Sequence, residues 1–170
     1  MRITLKKNTL VGLFILYLAL LFNFITLKFF GSFDGIEKRI HYVKINRADG
    51  YWNFNIEPFK TIYLSFRNYR LFSDEMAIVI MALNIFAFVP MGLLIALLTS
   101  KSSFFKTVFI ALVIIILIEG IQFVTCLGIA DIDDVFLNVF GSILGHLMYI
   151  VVSKYQLIKT HNKSYVETAK

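Results

Sequence analysis

Two neighbouring stretches of the chain decide its fold: Ile118-Glu119-Gly120-Ile121-Gln122 and Ala130-Asp131-Ile132-Asp133-Asp134-Val135-Phe136-Leu137-Asn138. The first places a carboxylate and an amide late in one apolar run. The second is an acidic turn that leads into the next apolar run, which carries an amide near its start. Charged groups inside hydrocarbon are costly and are rarely kept there without a task. The apolar runs therefore predict a membrane scaffold built around a polar site.

The composition excludes an ordinary soluble protein. Hydrophobic residues make up 58% of the 170 residues, whereas a globular chain holds about 45–50% and lacks long runs that are nearly free of charge. A formal charge of +6 could indicate a nucleic-acid binder, but nine of the 17 basic residues flank apolar runs. That placement is typical of residues that orient a protein in a bilayer. We therefore expect the lipid bilayer as the partner and no nucleic acid.

Four apolar runs predict an all-α membrane protein, a bundle of four transmembrane helices. The spans are expected at about 10–28, 76–98, 105–126 and 135–152. They form a single membrane domain of residues 1–152, and a basic tail follows at 153–170. The first run could be a secretory signal, but Phe29 and Phe30 stand where a cleavage site needs small residues. We expect an uncleaved first span.

The long polar insert between the first two spans contains a helix signal. Pro58 suits the first turn of a helix, and the apolar residues after it recur at helical spacing: Phe59, Ile62, Tyr63 and Phe66. Three basic residues fall on other faces of that helix: Lys60, Arg67 and Arg70. The pattern predicts a short amphipathic helix lying in the membrane interface.

The short segments between the spans set the orientation. The N-terminus, the Lys101–Lys106 turn and the tail hold nine Lys or Arg residues and one acid, Glu167. The Leu127–Asp134 turn holds three acids and no base. Because short basic segments stay on the cytoplasmic side, we expect both termini in the cytoplasm. The insert and the acidic turn are then extracellular.

This orientation brings the polar residues of three spans to one depth. At a rise of about 1.5 Å per residue, the following side chains all fall in the outer half of the membrane: Asn84, Glu119, Gln122 and Asn138. We expect them to line, together with Asp134, one cavity that opens outward. The Asn55–Pro58 turn is expected at the mouth of this cavity.

Each polar residue also has a plainer explanation. Glu119 could simply hydrogen-bond a neighbouring helix, although an intramembrane acid is functional by default. The three aspartates could cap the helix that follows, or their oxygens could hold a hard cation or an ammonium group. The chain has no EF-hand spacing, CxxC, His pair or P-loop, so we expect no metal and no cofactor. Gly141 and Gly145 form a GxxxG motif, which favours close helix–helix packing.

Taken in order, these motifs resemble those of the VanZ-like family. Asn55-Ile56-Glu57-Pro58-Phe59 resembles its Asn-x-x-Pro-Phe element, and Asn84 with Pro90-Met91-Gly92 resembles its second element. The third and fourth elements resemble Glu119-x-x-Gln122 and Asp131-x-Asp133-Asp134-x-x-x-Asn138-x-x-Gly141-x-x-x-Gly145. The candidate binding residues are therefore Asn55, Pro58, Asn84, Glu119, Gln122, Asp131, Asp133, Asp134 and Asn138.

The chain departs from the family at one position. Many members carry an arginine just before the aspartates, where this chain has Gly128. If that arginine neutralises the acids, another one must do so here, and the candidates are Arg47, Arg67 and Arg70.

The resemblance implies a small multi-pass protein of the bacterial cytoplasmic membrane that is associated with resistance to teicoplanin-type glycopeptide antibiotics. Its site would engage a lipid-linked cell-wall precursor or the antibiotic. An alternative from another class is an intramembrane hydrolase or transferase that acts on a polyprenyl phosphate, with Glu119 as the general base.

Overall fold

The computed structural model describes residues 7–24, 33–99 and 103–168, with side chains placed over 7–24, 35–99 and 103–154. These residues form six helices and two short strands, in the order α1 (Lys7–Phe22), α2 (Phe33–Ala48), β1 (Phe54–Asn55), α3 (Lys60–Phe72), α4 (Glu75–Leu98), α5 (Phe104–Thr125), β2 (Ala130–Asp131) and α6 (Ile132–Thr168). The chain is therefore mostly helical, as the sequence predicts.

Three helices in the described part are long and apolar enough to cross a membrane: Glu75–Leu98, Phe104–Thr125 and the Ile132–Lys154 part of α6. The bounds of these helices agree with the three later predicted spans to within three residues at each end. Helix α1 is apolar but has 16 residues, and residues 25–28 of the predicted first span lie outside the described residues. The first predicted span, and with it the bundle of four transmembrane helices, therefore stays a prediction. Helix α6 continues to Thr168, through most of the predicted tail.

Helices α4 and α6 lie backbone against backbone. A Cβ atom placed on Gly92 of α4 would overlap the carbonyl oxygen of Ser142 on α6. In the same way, Cβ atoms on Gly141 and Gly145 of α6 would overlap the carbonyl oxygens of Ile85 and Val89. Glycine has no Cβ, which allows this approach. Small residues four apart are a known solution for helix packing in membranes.

Pro90 lies inside α4 and helps to place α1. Proline has no N–H group, so the carbonyl four residues earlier loses its helical donor and the local hydrogen bonds loosen. The hydroxyl of Tyr17 on α1 donates to the carbonyl of Ala87 at 2.8 Å, one residue beyond that position. This hydrogen bond ties α1 to α4 next to the proline.

The apolar core lies between α4 and α5 and continues to α1. It is formed by Leu21, Phe88, Met91, Ile95, Ala111, Ile115 and Ile118. Two buried polar side chains of α6 lie beside it with a partner close by. Ser142 Oγ donates to the carbonyl of Asn138 at 3.0 Å, and His146 Nδ1 lies 3.1 Å from Thr107 Oγ1.

The insert is folded onto one end of the helices by a feature that the sequence does not predict. Strands β1 and β2 pair in parallel, with Phe54 opposite Ala130 and Asn55 opposite Asp131. The amide of Ala130 also donates to the carbonyl of Asn53 at 3.1 Å. This pairing brings residues 53–55 of the insert directly beside the acidic turn.

Helix α3 is the amphipathic helix predicted after Pro58, but its start differs from the prediction. Phe59 adopts a left-handed backbone with φ of 64°, which breaks helical geometry, so α3 begins at Lys60. Pro58 lies in the preceding turn rather than in the first turn of the helix. Four residues of α3 are half-buried against its neighbours: Thr61, Ile62, Ser65 and Asn68. Its aromatic residues Tyr63, Phe66 and Tyr69 are exposed.

Candidate functional site

Asp131 ties the insert to the helices. Its carboxylate accepts hydrogen bonds from Asn55 Nδ2 at 3.1 Å and from Thr61 Oγ1 at 2.5 Å. It also accepts from the backbone N–H of Asp133 at 2.9 Å, which is the contact of a helix cap at the start of α6. The backbone N–H of Asp131 donates to Glu119 Oε2 at 3.2 Å. One residue therefore links β1, α3, α5 and α6.

Asp133 caps a different helix. Its carboxylate accepts from three backbone N–H groups at the start of α3, those of Phe59 at 2.6 Å, Thr61 at 2.8 Å and Ile62 at 3.1 Å. Its side chain is fully buried. The first N–H groups of a helix have no partner within the helix, and a carboxylate there also complements the helix dipole. Asp133 thus has a sufficient structural reason to be an acid.

Asp134 faces a different environment. Its Oδ1 accepts from Asn84 Nδ2 on α4 at 2.6 Å, which joins two of the membrane-spanning helices. Both side chains are half-buried. A hydrogen bond of this length to a carboxylate is charge-assisted and holds both groups in place. The predicted meeting of Asn84 with the acidic turn is therefore present in the structure.

Asp134 and Asn84 lie in the wall of a cavity of about 540 Å³. The volume falls within the range of sites for small ligands, about 300–1,000 Å³. The polar part of the wall contains Arg39, Thr61, Asn84, Gln122, Asp131 and Asp134. The remaining wall is mainly apolar and contains Phe24, Tyr42, Val43, Ile80, Leu83, Gly128 and Ile129. The cavity is thus amphiphilic, and its wall includes charged residues of both signs.

A comparison with known proteins adds one positive result. The model of the VanZ/LLP1 family matches residues 14–153. The chain belongs to the VanZ/LLP1 family. No curated protein and no solved structure matches the chain significantly. All the motif residues that resemble the family, and Arg39 as well, lie within the matched range.

Arg39 is the charged residue of the cavity wall that sequence reasoning on this VanZ/LLP1 protein missed. Its Nη1 donates to the carbonyl of Leu127 at 3.2 Å, next to Gly128. The available signal was weak: Arg39, Tyr42 and Val43 have the spacing of one helix face, and all three line the cavity. The polar insert around them does not otherwise predict α2.

The three arginines expected to compensate for Gly128 lie elsewhere, which corrects that expectation. Arg47 donates from Nε to Asn53 Oδ1 at 2.7 Å and from Nη2 to the carbonyl of Phe123. Its guanidinium also lies 4.7 Å from the ring centre of Phe123. Phe123 lies in the last turn of α5, where the carbonyls lack donors four residues further along the helix. Its hydrogen bond from Arg47 fastens α2 to α5. Arg67 and Arg70 are exposed on α3. Arg39 lines the wall of this cavity, and these three arginines do not.

Glu119 and Asn138 were expected on the cavity wall, but neither is part of it. Both are buried, with 6% and 2% exposure. The Glu119 carboxylate turns toward the backbone of Asp131. Asn138 is one helical turn deeper than Asp134, and its Oδ1 has no hydrogen-bond partner within the residues that the structure describes.

The remaining candidate binding residues are Gln122, Asn55 and Pro58, and only Gln122 lines the cavity. Gln122 is buried and lines the wall. Asn55 contributes through its bond to Asp131, and Pro58 is exposed in the turn before α3. Across the described residues, no group of three or more His, Cys, Asp or Glu side chains could hold a metal ion. The binding roles of all these VanZ/LLP1 residues stay predictions.

Proposed function

We propose that this VanZ/LLP1 protein contributes to resistance against teicoplanin-type glycopeptide antibiotics by binding an amphiphilic ligand in the cavity beside Asp134. The ligand is a lipid-linked cell-wall precursor or the lipid-tailed antibiotic itself. The observation that carries this proposal is the cavity wall, which combines Arg39, Asn84 and Asp134 with an apolar side. Polar groups that fix orientation and apolar surface that gives affinity are the usual features of a ligand site.

The proposed membrane is the bacterial cytoplasmic membrane, with both termini in the cytoplasm. The support is the distribution of short basic and acidic segments. In this orientation β1, β2, α3 and the cavity lie at the extracellular side, where a wall precursor or an external antibiotic can reach them.

Helix α3 supports a position of the site at the membrane surface. Its exposed side combines the aromatic residues Tyr63, Phe66 and Tyr69 with the basic residues Lys60, Arg67 and Arg70. Aromatic rings favour the head-group region, and basic residues favour anionic lipid surfaces. We propose that α3 is the interfacial helix of the extracellular insert.

The enzyme alternative receives less support from the same contacts. Its base, Glu119, accepts from the backbone of Asp131 and is not part of the cavity wall. A general base must lie within hydrogen-bond reach of the proton that it removes. Asp131 and Asp133 hold strand and helix ends together, which leaves Asp134 as the carboxylate best placed to meet a ligand.

The test is the drug susceptibility of the host. Deleting the gene is expected to lower the inhibitory concentration of teicoplanin and to change that of vancomycin less. Complementation with wild type and with the exposed-site control Asp49→Asn should restore resistance, whereas Asp134→Asn should not. The control makes the same chemical change at a residue outside the cavity. Unchanged teicoplanin susceptibility after deletion, in a strain without a paralogue, would refute the proposed function.

A further inference from the structure

The cavity wall carries charges of opposite sign, and this feature limits what can bind there. Arg39 comes from α2, and Asp134 comes from α6. A ligand that carries only negative charge would meet the carboxylates of Asp131 and Asp134. A ligand that carries only positive charge would meet Arg39. A head group with both charges fits the wall better than either.

Arg39 has donors in reserve for an anionic group. A guanidinium has five N–H donors in a planar fork, and the hydrogen bond to the Leu127 carbonyl uses one of them. That bond fixes the position of the side chain in the wall. Guanidinium groups bind phosphate through two parallel hydrogen bonds where the fork can face the anion. Arg39 is therefore suited to a phosphate ester.

Asp134 is the matching acceptor for a cation. Asn84 Nδ2 donates to its Oδ1 at 2.6 Å, which orients the carboxylate. Asp134 is half-buried at the cavity wall. Asp131 is only 8% exposed, and its carboxylate holds Asn55 and Thr61 in place. A ligand ammonium can therefore approach Asp134 without detaching the insert.

The apolar rim gives a path for a hydrocarbon tail. Ile80 and Leu83 of α4 line the cavity and are also 52% and 44% exposed on the surface of that helix. They are three residues apart, hence on one face. Ile129 is 60% exposed and lines the cavity as well. Because α4 can cross a membrane, the apolar rim continues onto a surface that faces lipid.

We infer that the cavity binds an aminophospholipid-type head group, with a phosphate against Arg39, a primary ammonium against Asp134 and the tail leaving over Ile80 and Leu83. This inference rests on the proposed function, because it names the ligand class of the same cavity. Both a bilayer phospholipid and a lipid-linked wall precursor with a free amine have this chemistry.

The test measures lipid binding to the purified full-length protein in detergent by native mass spectrometry, with matched-chain lipids added at equal concentration. The probes are phosphatidylethanolamine, phosphatidylglycerol, phosphatidylcholine and a trimethylammonium lipid without phosphate. The expected order places phosphatidylethanolamine first by about tenfold, because only it offers both a phosphate and N–H donors to a carboxylate. A second arm compares a lipid-linked wall precursor that has a free amine with the same precursor after N-acetylation, which identifies the source.

Two variants separate the two halves of the site. Arg39→Gln should weaken phosphatidylethanolamine and phosphatidylglycerol alike, by about tenfold. Asp134→Asn keeps an oxygen for Asn84 and should remove the preference for phosphatidylethanolamine while leaving phosphatidylglycerol binding in place. The matched controls are Lys38→Gln on α2 and Asp49→Asn after it, since neither residue lines the cavity.

The outcomes are distinct. The absence of a preference for the amine-bearing lipid in both arms, or an unchanged preference in Asp134→Asn, overturns the inference. The protein could show no preference for phosphatidylethanolamine and none for the precursor with a free amine, while deletion still lowers teicoplanin resistance. In that case the proposed function stands and only this ligand class falls. If the selectivity is found but deletion has no effect on resistance, the ligand class stands and the proposed function falls.

Discussion

Removing the carboxylate of Asp133 should release helix α3 from the membrane helices without unfolding them. The side chain is fully buried and accepts from three backbone N–H groups at 2.6, 2.8 and 3.1 Å. Asp133→Asn keeps the size of the side chain but removes the charge and replaces one acceptor oxygen with an NH2 group. We predict that the first turn of α3 opens far more often in this variant.

The magnitude follows from the contacts. A hydrogen bond to a charged group contributes about 1.5–3 kcal/mol net. Asparagine retains one oxygen, which can accept from one or two of the three donors. The variant therefore loses one strong hydrogen bond, and the remaining bonds no longer go to a charged group. Together these losses cost about 3 kcal/mol. Because about 1.4 kcal/mol is a factor of ten, the opening equilibrium at the start of α3 should rise about a hundredfold.

The assay is amide hydrogen exchange followed by mass spectrometry on peptides that cover α3 and α5. Exchange at the Thr61 and Ile62 amides should accelerate about a hundredfold, while α5 keeps its protection. The matched control is Asp74→Asn, because Asp74 caps α4 through one long bond of 3.4 Å from Ala77 and should change exchange little. Wild-type protection of α3 in Asp133→Asn would refute the claim that this carboxylate holds the helix.

Three further predictions concern the bundle and its orientation. Asn138→Leu should raise the thermal stability in detergent by about 1 kcal/mol, because it removes a buried Oδ1 that has no partner in the described residues; a clear loss of stability would show that Oδ1 is satisfied. Gly145→Ala should cost about 1–3 kcal/mol by forcing α4 and α6 apart, whereas Gly120→Ala, which meets nothing within 4 Å, should not; equal effects would contradict the close packing. In a Cys126→Ala background, an impermeant maleimide added to intact cells should label Ile129→Cys but not Ser103→Cys, both at exposed positions; the reverse pattern would invert the proposed topology.

The membrane-spanning helices were predictable because a long apolar run has few alternatives. A run of about 20 apolar residues must satisfy its backbone hydrogen bonds internally, which a helix does. The three later spans accordingly end within a few residues of the predicted limits. The contact between Asn84 and Asp134 was predictable for a related reason. The helical rise fixes the depth of each polar residue, and polar groups in apolar surroundings must meet one another.

The docking of the insert was not predictable from local patterns. Helix α2 is held by bonds from arginine side chains to backbone carbonyls, Arg39 to Leu127 and Arg47 to Phe123. Backbone carbonyls are present at every residue, so such contacts leave no motif in the sequence. Strands β1 and β2 have two residues each, too few for an alternating pattern. Arg39 was missed for this reason.

The three aspartates form a motif whose position was predicted correctly, but the helix that Asp133 caps was not. Acids before an apolar run predict caps for the helix that begins there, and Asp131 does cap α6 through the N–H of Asp133. Asp133, however, caps α3, which lies more than 70 residues earlier in the sequence. Sequence spacing cannot distinguish a cap within one helix from a cap offered to another. Only the tertiary fold shows which helix end lies within reach.

The three acids of the turn therefore have unequal prospects as ligand-binding groups. Asp131 and Asp133 hold β1 and the start of α3 against the helices through five hydrogen bonds that their carboxylates accept. Removing either would displace Thr61, and Thr61 is part of the cavity wall. A loss of function in such a variant would not distinguish lost docking from lost binding. Asp134 touches the cavity and is joined to α4 by Asn84, and asparagine at this position preserves that acceptor. The replacement Asp134→Asn is thus the change that tests ligand binding while leaving β1 and α3 in place.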